Sequence, residues 1–432
     1  MIRIPDIIEK KRDGGTHTRA ELEALVMGYV QGAVPDYQVA AWLMAVCIRG
    51  MAPEEVVMLT EVMAASGEQL DLSSIGRPVA DKHSTGGVGD KTSLVVMPLV
   101  AACGVPVGKM SGRGLGFTGG TIDKLEAFPG LRVDLPAAEF VRQLREIGIV
   151  ITGQSADLAP ADGRLYALRD VTGTVPSLPL IASSIMSKKL AAGANVIVLD
   201  VKTGSGAFMR DRASALALAR AMVDIGTAAG RRMAAVVSDM SQPLGNMVGN
   251  ALEVREALDT LAGNGPPEFS AFAVELATSI VSLASGADGR SDVERAVRSG
   301  AGLAKLRTMV VAQAGDPAAF DDRARLPTAR LRHDVVAQMD GYLSELDALT
   351  VARASIVLGA GREKKGDPID LAVGVELLAK IGDPVSRGQP LAVLHVNEAT
   401  HTDQATRLMH EAIVVSETPV ARPPLILERL GV

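Results

Sequence analysis

Apolar residues recur every three or four positions through the first seventy residues, which is the spacing of an amphipathic helix. The pattern predicts three helices, at 19–30, 36–49 and 53–67. Thr18 and Glu21 form a capping box at the start of the first helix. Three apolar helices in succession predict a small bundle with enough excess apolar surface for a dimer contact.

From residue 79 the pattern changes to short apolar runs that alternate with helical stretches. The predicted strands are 95–97, 105–110, 147–152, 196–201 and 233–238. The predicted helices between them include 137–146 and 213–229. This alternation indicates an α/β sheet. Two further helical stretches, 160–169 and 183–192, interrupt the alternation and are expected to return to the N-terminal helical layer.

The last third of the chain predicts helices over 261–325, and strands and turns after 332. The segment 382–395 has the pattern of a hairpin in a barrel-sandwich module. Biotinyl and lipoyl carriers share this pattern but need an acceptor lysine at the hairpin tip, and no lysine follows Lys380 there. The expected fold class is α/β, with a small all-helical domain, a larger α/β domain with a central mixed sheet, and a C-terminal α+β barrel-sandwich-like module.

Composition narrows the class of protein. The 432 residues are 47% hydrophobic but only 3% aromatic, and 44 are glycine, which excludes a disordered, collagenous or disulfide-framework protein. The net charge of −6 gives no overall basic field for nucleic acid. The chain has two cysteines, and its sequence shows no apolar leader and no uncharged run of about 20 apolar residues. These features predict a soluble cytoplasmic protein without a membrane partner.

The densest cluster of polar residues and glycines is DKHSTGGVGDKTS, at 81–93. Glycines let successive backbone N–H groups point into one concavity, and the lysine and hydroxyl side chains add donors, as an oxyanion such as phosphate requires. The segment is not a Walker A loop, because Lys91 follows Asp90 rather than glycine. The alternative is an ordinary polar turn, which would need neither a histidine nor two lysines.

A second glycine-rich segment is KMSGRGLGFTGGTIDKLE, at 109–126. It contains a formal GxGxxG pattern, which on its own is a weak sign of a dinucleotide site. Pro129 would cut the helix that such a site needs, and Arg113 lies inside the loop. We expect instead a second loop that closes over the same anion.

A third group consists of Arg169, Ser184 and Lys188, with Tyr166 one helical turn before the arginine. Ser184 and Lys188 are four residues apart and share a helix face. The two cations either pair with nearby acids or bind a ligand with carbonyl acceptors. The candidate acids are Asp157, Asp162 and Asp170. The histidines outside the first cluster have no metal-ligand spacing.

Together these segments resemble the thymidine/pyrimidine-nucleoside phosphorylases. The segments that carry the resemblance are 82–90, 111–116, 118–126, 168–170, 183–189, 239–245 and 249–256. The pair at 111–126 is close to the signature of that family, and the C-terminal segment extends the resemblance over the whole length.

The resemblance implies a homodimer in which a hinged cleft separates two domains. A helical domain, at 1–70 and 157–192, would provide the dimer contact and the pyrimidine side. An α/β domain, at 73–156 and 193–330, would bind phosphate, and 332–432 would form the C-terminal domain.

The resemblance also implies roles for individual residues. The phosphate-binding residues would be Lys82, Ser84, Ser93, Lys109, Ser111 and Thr121. The pyrimidine-binding residues would be Tyr166, Arg169, Ser184 and Lys188. His83 would lie near O2 of the base as a candidate proton donor, and the catalytic residues would be His83, Arg169 and Lys188.

The implied reaction is the reversible phosphorolysis of thymidine, deoxyuridine and uridine. Phosphate attacks C1′ through an oxocarbenium-like state, and the products are a free base and an α-sugar 1-phosphate. Phosphate is a co-substrate and no cofactor is required. Some relatives hold a monovalent cation, and the matching positions here are Gly89, Lys91, Leu244, Met247 and Glu256. Lys91 could supply its own ammonium at that place.

Two positions bear on substrate choice. Lys109 lies where broad-specificity members carry lysine and thymidine-restricted members an apolar residue, so we expect uridine to be accepted. Phe117 replaces a histidine common in the family. The alternatives are a thymidine-restricted phosphorylase, an anthranilate-type phosphoribosyltransferase and a non-catalytic nucleoside-binding protein.

Overall fold

The computed structural model describes residues 2–114, 116–155, 157–362, 364 and 366–431. Within these ranges the helices are, in chain order, α1 (Ile4–Arg12), α2 (Arg19–Val30), α3 (Asp36–Arg49), α4 (Pro53–Ala64), α5 (Thr92–Ala102), α6 (Thr121–Leu125), α7 (Ala137–Ile147), α8 (Pro160–Thr172), α9 (Leu178–Ala191), α10 (Arg212–Ala228), α11 (Asn250–Leu261), α12 (Pro267–Ser285), α13 (Arg290–Arg298), α14 (Ala301–Ala312), α15 (Ala348–Val357) and α16 (Thr402–Ala412). The strands are β1 (Ala80–Ser84), β2 (Val107–Ser111), β3 (Ile149–Gly153), β4 (Val196–Thr203), β5 (Arg232–Asp239), β6 (Met247–Val248), β7 (Leu331–Val336), β8 (Gly341–Leu346), β9 (Gly374–Leu377), β10 (Pro384–Val385), β11 (Pro390–Val396), β12 (Ile413–Ser416) and β13 (Ile426–Leu430).

The N-terminal helices form the predicted bundle. Thr18 caps α2 by accepting from the Glu21 backbone N–H, and the Glu21 carboxylate accepts from the Thr18 N–H, so the capping box is confirmed. Trp42 is buried in the centre of the layer, where its indole N–H donates to His17 at 3.0 Å. Helix α8 packs on α2 and α3, which confirms that the chain returns to this layer.

The central sheet is mixed. Its strand order is β13-β5-β4-β1-β2-β3, with β13 antiparallel to β5 and the other pairs parallel. Parallel strands buried on both faces read as continuous apolar runs, and the eight residues of β4 are all buried. Four of the five predicted strands are present here, with ends that differ by at most two residues.

The predicted strand at 95–97 is wrong, because these residues lie inside α5. Ten of the eleven residues of α5 are buried, from Thr92 to Ala101, so the helix shows neither an apolar stripe nor an alternation. A short apolar run of this kind cannot be assigned by periodicity alone.

One helix of the described residues, α12, has the length and apolar composition that could cross a membrane. It packs against α5, α13 and β4, and Phe269, Phe272 and Leu276 lie in the main hydrophobic core. These contacts are those of a core helix.

The C-terminal module contains two small antiparallel sheets, ordered β6-β9-β11-β7 and β10-β8-β12. The segment 382–395 is not a paired hairpin, because β10 pairs with β8 whereas β11 pairs with β7 and β9. The chain also crosses between the sheets: β6 joins the C-terminal sheet, and β13 returns to the central sheet. The sequence does not reveal the exchange of β6, because that strand is only two residues long.

Candidate active site

The carboxyl ends of β1 and β2 bring the first two clusters together. The strands are parallel with Ala80 opposite Val107, which sets Ser84 level with Ser111 four residues further along. The Lys109 ammonium donates to the Lys82 carbonyl at 2.5 Å. Ligands of parallel α/β sheets bind at this edge.

Lys82 lies in a buried network of charges. Its side chain is fully buried, donates to the Thr92 hydroxyl, and has its ammonium 3.4 Å from Asp200 Oδ2 and 3.9 Å from Asp90 Oδ1. The Ser84 hydroxyl donates to Asp90 and accepts from the Gly86 N–H at 3.2 Å. The first cluster is therefore organised around acidic residues before any ligand binds.

The loop after β1 leads into α5, so Ser93 lies in the first turn of an eleven-residue helix and is buried. The N-terminus of such a helix favours an anion through its free N–H groups and its dipole. Thr121 begins α6, and the next residue, Ile122, donates its N–H to the Gly112 carbonyl just beyond β2. The predicted phosphate-binding residues thus converge on one edge of the sheet.

The second glycine-rich loop contacts the first. A Cβ on Gly86, whose φ is +94°, would lie 3.2 Å from Thr118 and 3.5 Å from the Phe208 ring. The Phe208 ring lies 5.4 Å from the Phe117 ring, and the Arg210 guanidinium is over Phe117. Phe117 thus lies close to where the two loops meet, as half of an aromatic pair.

The same loop is tied by acidic groups. Arg113 bonds Asp123 and Glu126, the Gly114 N–H donates to Asp123 at 2.6 Å, and Arg362 binds Asp123 through two nitrogens. Gly114 thus has its N–H engaged, and α6 has only five residues. These features argue against a dinucleotide fingerprint, and closure of the loop over an anion stays a prediction.

On the opposite side, Arg169 is buried and bonds the segment that joins α8 to α9. Its three nitrogens donate to the carbonyls of Thr174, Val175 and Leu180, at 3.3, 2.7 and 3.0 Å. A guanidinium has five N–H donors, so two remain for a ligand. Burial lowers the pKa of Arg169, and Tyr166 lies against its guanidinium.

Lys188 is paired with an acid. Its ammonium is 2.5 Å from Asp162 Oδ2 and 3.4 Å from the Ser184 hydroxyl. Of the two alternatives that the sequence left open, pairing with an acid is the one that the structure shows for Lys188. Asp162 fixes the direction of the ammonium. The Lys188 side chain is 27% exposed, so it remains accessible to solvent and to a ligand.

The charges of lysines on β1, β2 and α9 act on His83. Burial lowers its pKa well below the usual value, and the charges of Lys189, Lys109, Lys188 and Lys82 lower it further. His83 is therefore a neutral imidazole at neutral pH, which donates its N–H without carrying a charge. Burial also lowers the pKa of Lys109 to about 7, with Lys189 and Lys82 acting in the same direction and Asp81 opposing them.

The residues matched to a monovalent cation surround the Lys91 side chain. Its buried ammonium donates to the carbonyls of Leu244 at 2.8 Å and Met247 at 2.9 Å, and it is paired with Glu256. A Cβ on Gly89 would lie 2.6 Å from the Leu244 carbonyl oxygen, so the loops are in close contact. The oxygen set is thus already bonded to a cationic group of this chain, and it does not fit a second cation.

Sequence reasoning assigned no role to five charged residues beneath the site: Asp81, Asp90, Lys189, Asp200 and Lys202. Asp162, in contrast, is one of the acids that the sequence offered as partners for Arg169 and Lys188. Lys202 pairs with Asp200 at 2.7 Å and lies over the Phe272 ring. One signal was present, because Asp81 and Asp90 flank the first cluster in the chain. Their partners could not be identified, since Lys189 and Asp81 are 108 residues apart.

Comparisons with known proteins agree with this geometry. Residues 76–303 match the glycosyl transferase family a/b domain, residues 5–67 its helical bundle domain, and residues 342–416 the pyrimidine nucleoside phosphorylase C-terminal domain.

Individual proteins match over the full length. The chain is 51% identical to a pyrimidine-nucleoside phosphorylase of Geobacillus stearothermophilus, covering all of both chains. It is 50% identical to one of Staphylococcus aureus, covering 98% of this chain and 99% of the relative. Among solved structures, anthranilate phosphoribosyltransferase from Thermus thermophilus has a TM-score of 0.59 at 20% identity, over 71% of this chain and 99% of that chain, which shows a shared fold. On the full-length identities and the matched C-terminal domain, the chain belongs to the pyrimidine-nucleoside phosphorylase family.

Proposed function

We propose that this chain catalyses the reversible phosphorolysis of thymidine, deoxyuridine and uridine, releasing the base and forming α-D-(2-deoxy)ribose 1-phosphate. The observation that carries the proposal is the meeting of β1, which holds Lys82 and His83, with α9, which holds Lys188: the Lys189 ammonium of α9 bonds the Asp81 carboxylate of β1 at 2.8 Å. In this arrangement the base of a nucleoside contacts Lys188 and a phosphate binds near Lys82. The His83 imidazole lies between the two.

The phosphate side is proposed to consist of Lys82, Ser84, Ser93, Lys109, Ser111 and Thr121. The buried lysines Lys82, Lys109, Lys189 and Lys202 there face the carboxylates Asp81, Asp90 and Asp200. Four ammonium groups against three carboxylates leave an excess of positive charge when Lys109 is protonated. Bound phosphate favours that protonated form, because an anion nearby raises the pKa of an amine.

The pyrimidine side is proposed to consist of Tyr166, Arg169, Ser184 and Lys188. As the glycosidic bond lengthens, negative charge develops on the departing pyrimidine. The Lys188 ammonium and the remaining N–H donors of Arg169 stabilise that charge, and removing one such donor costs about 100- to 1000-fold in rate. His83 donates its neutral N–H to O2 of the base.

Phosphate then attacks C1′ from the face opposite to the base, which gives the α-sugar 1-phosphate. Positioning the two reactants in line contributes a large part of the rate. We propose that phosphate is the co-substrate, that no cofactor takes part, and that the Lys91 ammonium stands where some relatives hold a cation.

We further propose that the chain acts as a homodimer in the cytoplasm. Tyr37, Met44 and Ile48 are exposed apolar residues of α3, spaced so that they share one face, and Val171 at the end of α8 is 78% exposed. A dimer contact would cover such a face.

The decisive experiment incubates the purified protein with each of the three nucleosides, with and without phosphate. We expect the base and the α-sugar 1-phosphate in equal amounts, only when phosphate is present. The Lys188→Met variant is expected to lose about 100-fold or more of the rate. Lys305→Met is the matched control, because Lys305 bonds the Ile147 carbonyl, which precedes β3 at the opposite edge of the sheet.

Three outcomes contradict the proposal in different ways. No base released from any nucleoside means that the chain is not a phosphorylase. Release of base from thymidine and deoxyuridine but not from uridine restricts the substrate range. Transfer from phosphoribosyl pyrophosphate with a divalent cation would favour the phosphoribosyltransferase alternative.

A further inference from the structure

A buried ion cluster lies directly beneath the site and joins both of its sides. The Asp81 carboxylate is fully buried in β1. One of its oxygens accepts from the Lys189 ammonium at 2.8 Å, and the other accepts from the Lys82 N–H at 2.7 Å. The Lys109 ammonium is more distant, at 3.6 Å. Lys189 is therefore the close partner of this buried charge.

Lys189 follows Lys188 in α9, and the two side chains go to different places. Successive residues of a helix are about 100° apart around its axis. Lys188 bonds Asp162 and Ser184 on the helical side, whereas Lys189 bonds Asp81 on β1 and the Met110 carbonyl on β2, at 3.1 Å. One turn of α9 thus contacts both sides of the cleft.

We propose that Lys189 is a positioning residue for phosphorolysis: its ammonium, shared by Asp81 and the Met110 carbonyl, holds α9, and with it Lys188, against the strands that carry Lys82 and His83. This inference rests on the proposed function and deepens it. Lys189 touches no substrate atom in this assignment. It sets the distance between the group that binds the base and the groups that bind phosphate.

The cluster also has an electrostatic effect that a merely structural ion pair would lack. Among the described residues, the lysines whose charges act most on His83 are Lys189 and Lys188 from α9, Lys109 from β2 and Lys82 from its own strand. Each of these charges lowers the pKa of His83, and Lys189 has the largest effect among them. Removing the Lys189 charge therefore raises the midpoint of the His83 titration.

The test compares Lys189→Gln with Lys189→Arg. We expect Lys189→Gln to lower kcat by about 10- to 100-fold, because small displacements of reacting groups have effects of that size, with a smaller change in the nucleoside KM. Lys189→Arg keeps a cation beside Asp81 and is expected to retain most of kcat.

The second readout is the titration of His83 in the substrate-free protein, followed by NMR of histidine-labelled enzyme and assigned with His83→Gln. The midpoint is expected to rise by about half a pH unit or more in Lys189→Gln, because a neighbouring charge shifts a pKa on that scale. In Lys189→Arg it is expected to stay in place.

The matched control is Lys11→Gln. Lys11 and Glu55 form a comparable buried pair at 2.8 Å in the helical layer, with side chains 3% and 1% exposed. This variant is expected to lose thermal stability without a change in kcat or in the His83 midpoint. If Lys189→Gln behaves in the same way, Lys189 has only a structural role and the proposal is wrong.

Lys189→Gln leaves the buried Asp81 carboxylate without its partner. If that variant does not fold, a second variant without an unpaired charge is used. The double variant Asp81→Asn/Lys189→Met removes both charges together, and the loss of kcat is expected to persist. Recovery of wild-type kcat would overturn the proposal. An inactive wild-type protein would instead refute the proposed function, and the His83 titration, which needs no substrate, still decides whether Lys189 acts on the site.

Discussion

Neighbouring residues determine the charge state or the orientation of individual side chains in the candidate site. His83 remains neutral because burial and the charges of nearby lysines lower its pKa, so it acts as a hydrogen-bond donor rather than as an imidazolium. Lys188 is held by Asp162, and Arg169 uses one N–H of each nitrogen on backbone carbonyls. The groups that would bind the base are thus fixed in direction before a substrate arrives, which lowers the cost of orienting them.

Substrate choice at the residue scale is tested with Lys109→Met. Uridine differs from thymidine by its 2′-hydroxyl and by the absence of the 5-methyl group. We expect the Lys109 ammonium to be the partner of that hydroxyl as well as of phosphate, and a buried hydroxyl left without a partner costs about 1–3 kcal/mol. We therefore expect kcat/KM for uridine to fall about tenfold more than that for thymidine. Both substrates are measured side by side, and equal losses would show that Lys109 does not determine specificity.

At the scale of elements, two loops depend on each other. The loop at 243–247 accepts hydrogen bonds on one side from Lys91, which lies just before α5, and on the other side from Lys380, which bonds the carbonyls of Pro243 and Gly245. The Glu256 carboxylate accepts from the N–H groups of Asn246 and Met247. This arrangement links the C-terminal module to the glycine-rich loop of the first cluster.

Removing the Lys91 ammonium tests that link. In Lys91→Ser the Glu256 carboxylate and two carbonyls lose their cation, which costs about 3–5 kcal/mol for a buried pair. We expect potassium or ammonium chloride to restore part of the melting temperature and of kcat, because these ions fit the vacated oxygen set. Choline chloride at equal ionic strength is the control, and the wild-type protein should respond to none of the three salts. A variant that folds but ignores small cations would contradict this assignment.

Across the whole molecule, contacts between distant parts of the chain close the site. Arg362 from the C-terminal module binds Asp123 of the second glycine-rich loop, and β13 completes the central sheet beside β5. The helical layer contributes α8 and α9. The outer face of α3 remains apolar and exposed in the single chain.

The oligomeric state is predicted from that face. Ile48→Glu places a charge on a residue that is 72% exposed, and we expect it to shift the protein from dimer to monomer in sedimentation velocity. Val311→Glu, on a residue of α14 that is 52% exposed, is the matched control and should leave the assembly unchanged. A wild-type monomer, or a dimer that tolerates Ile48→Glu, would show that α3 is not the contact.

Features that depend on short spacing along the chain are predictable from the amino-acid sequence. The capping box at Thr18, the span of α3 and the two glycine-rich loops follow from residues within a few positions of each other, where helix periodicity and backbone freedom act. The apolar pattern of α5 does not identify it as a helix, because a helix that is buried on nearly every side shows no apolar stripe. The acid that pairs with each lysine is known only from the folded chain. Asp81 meets Lys189, Asp162 meets Lys188 and Glu256 meets Lys91, and these pairs form because the fold brings charges from distant segments into a space where none can stay unpaired.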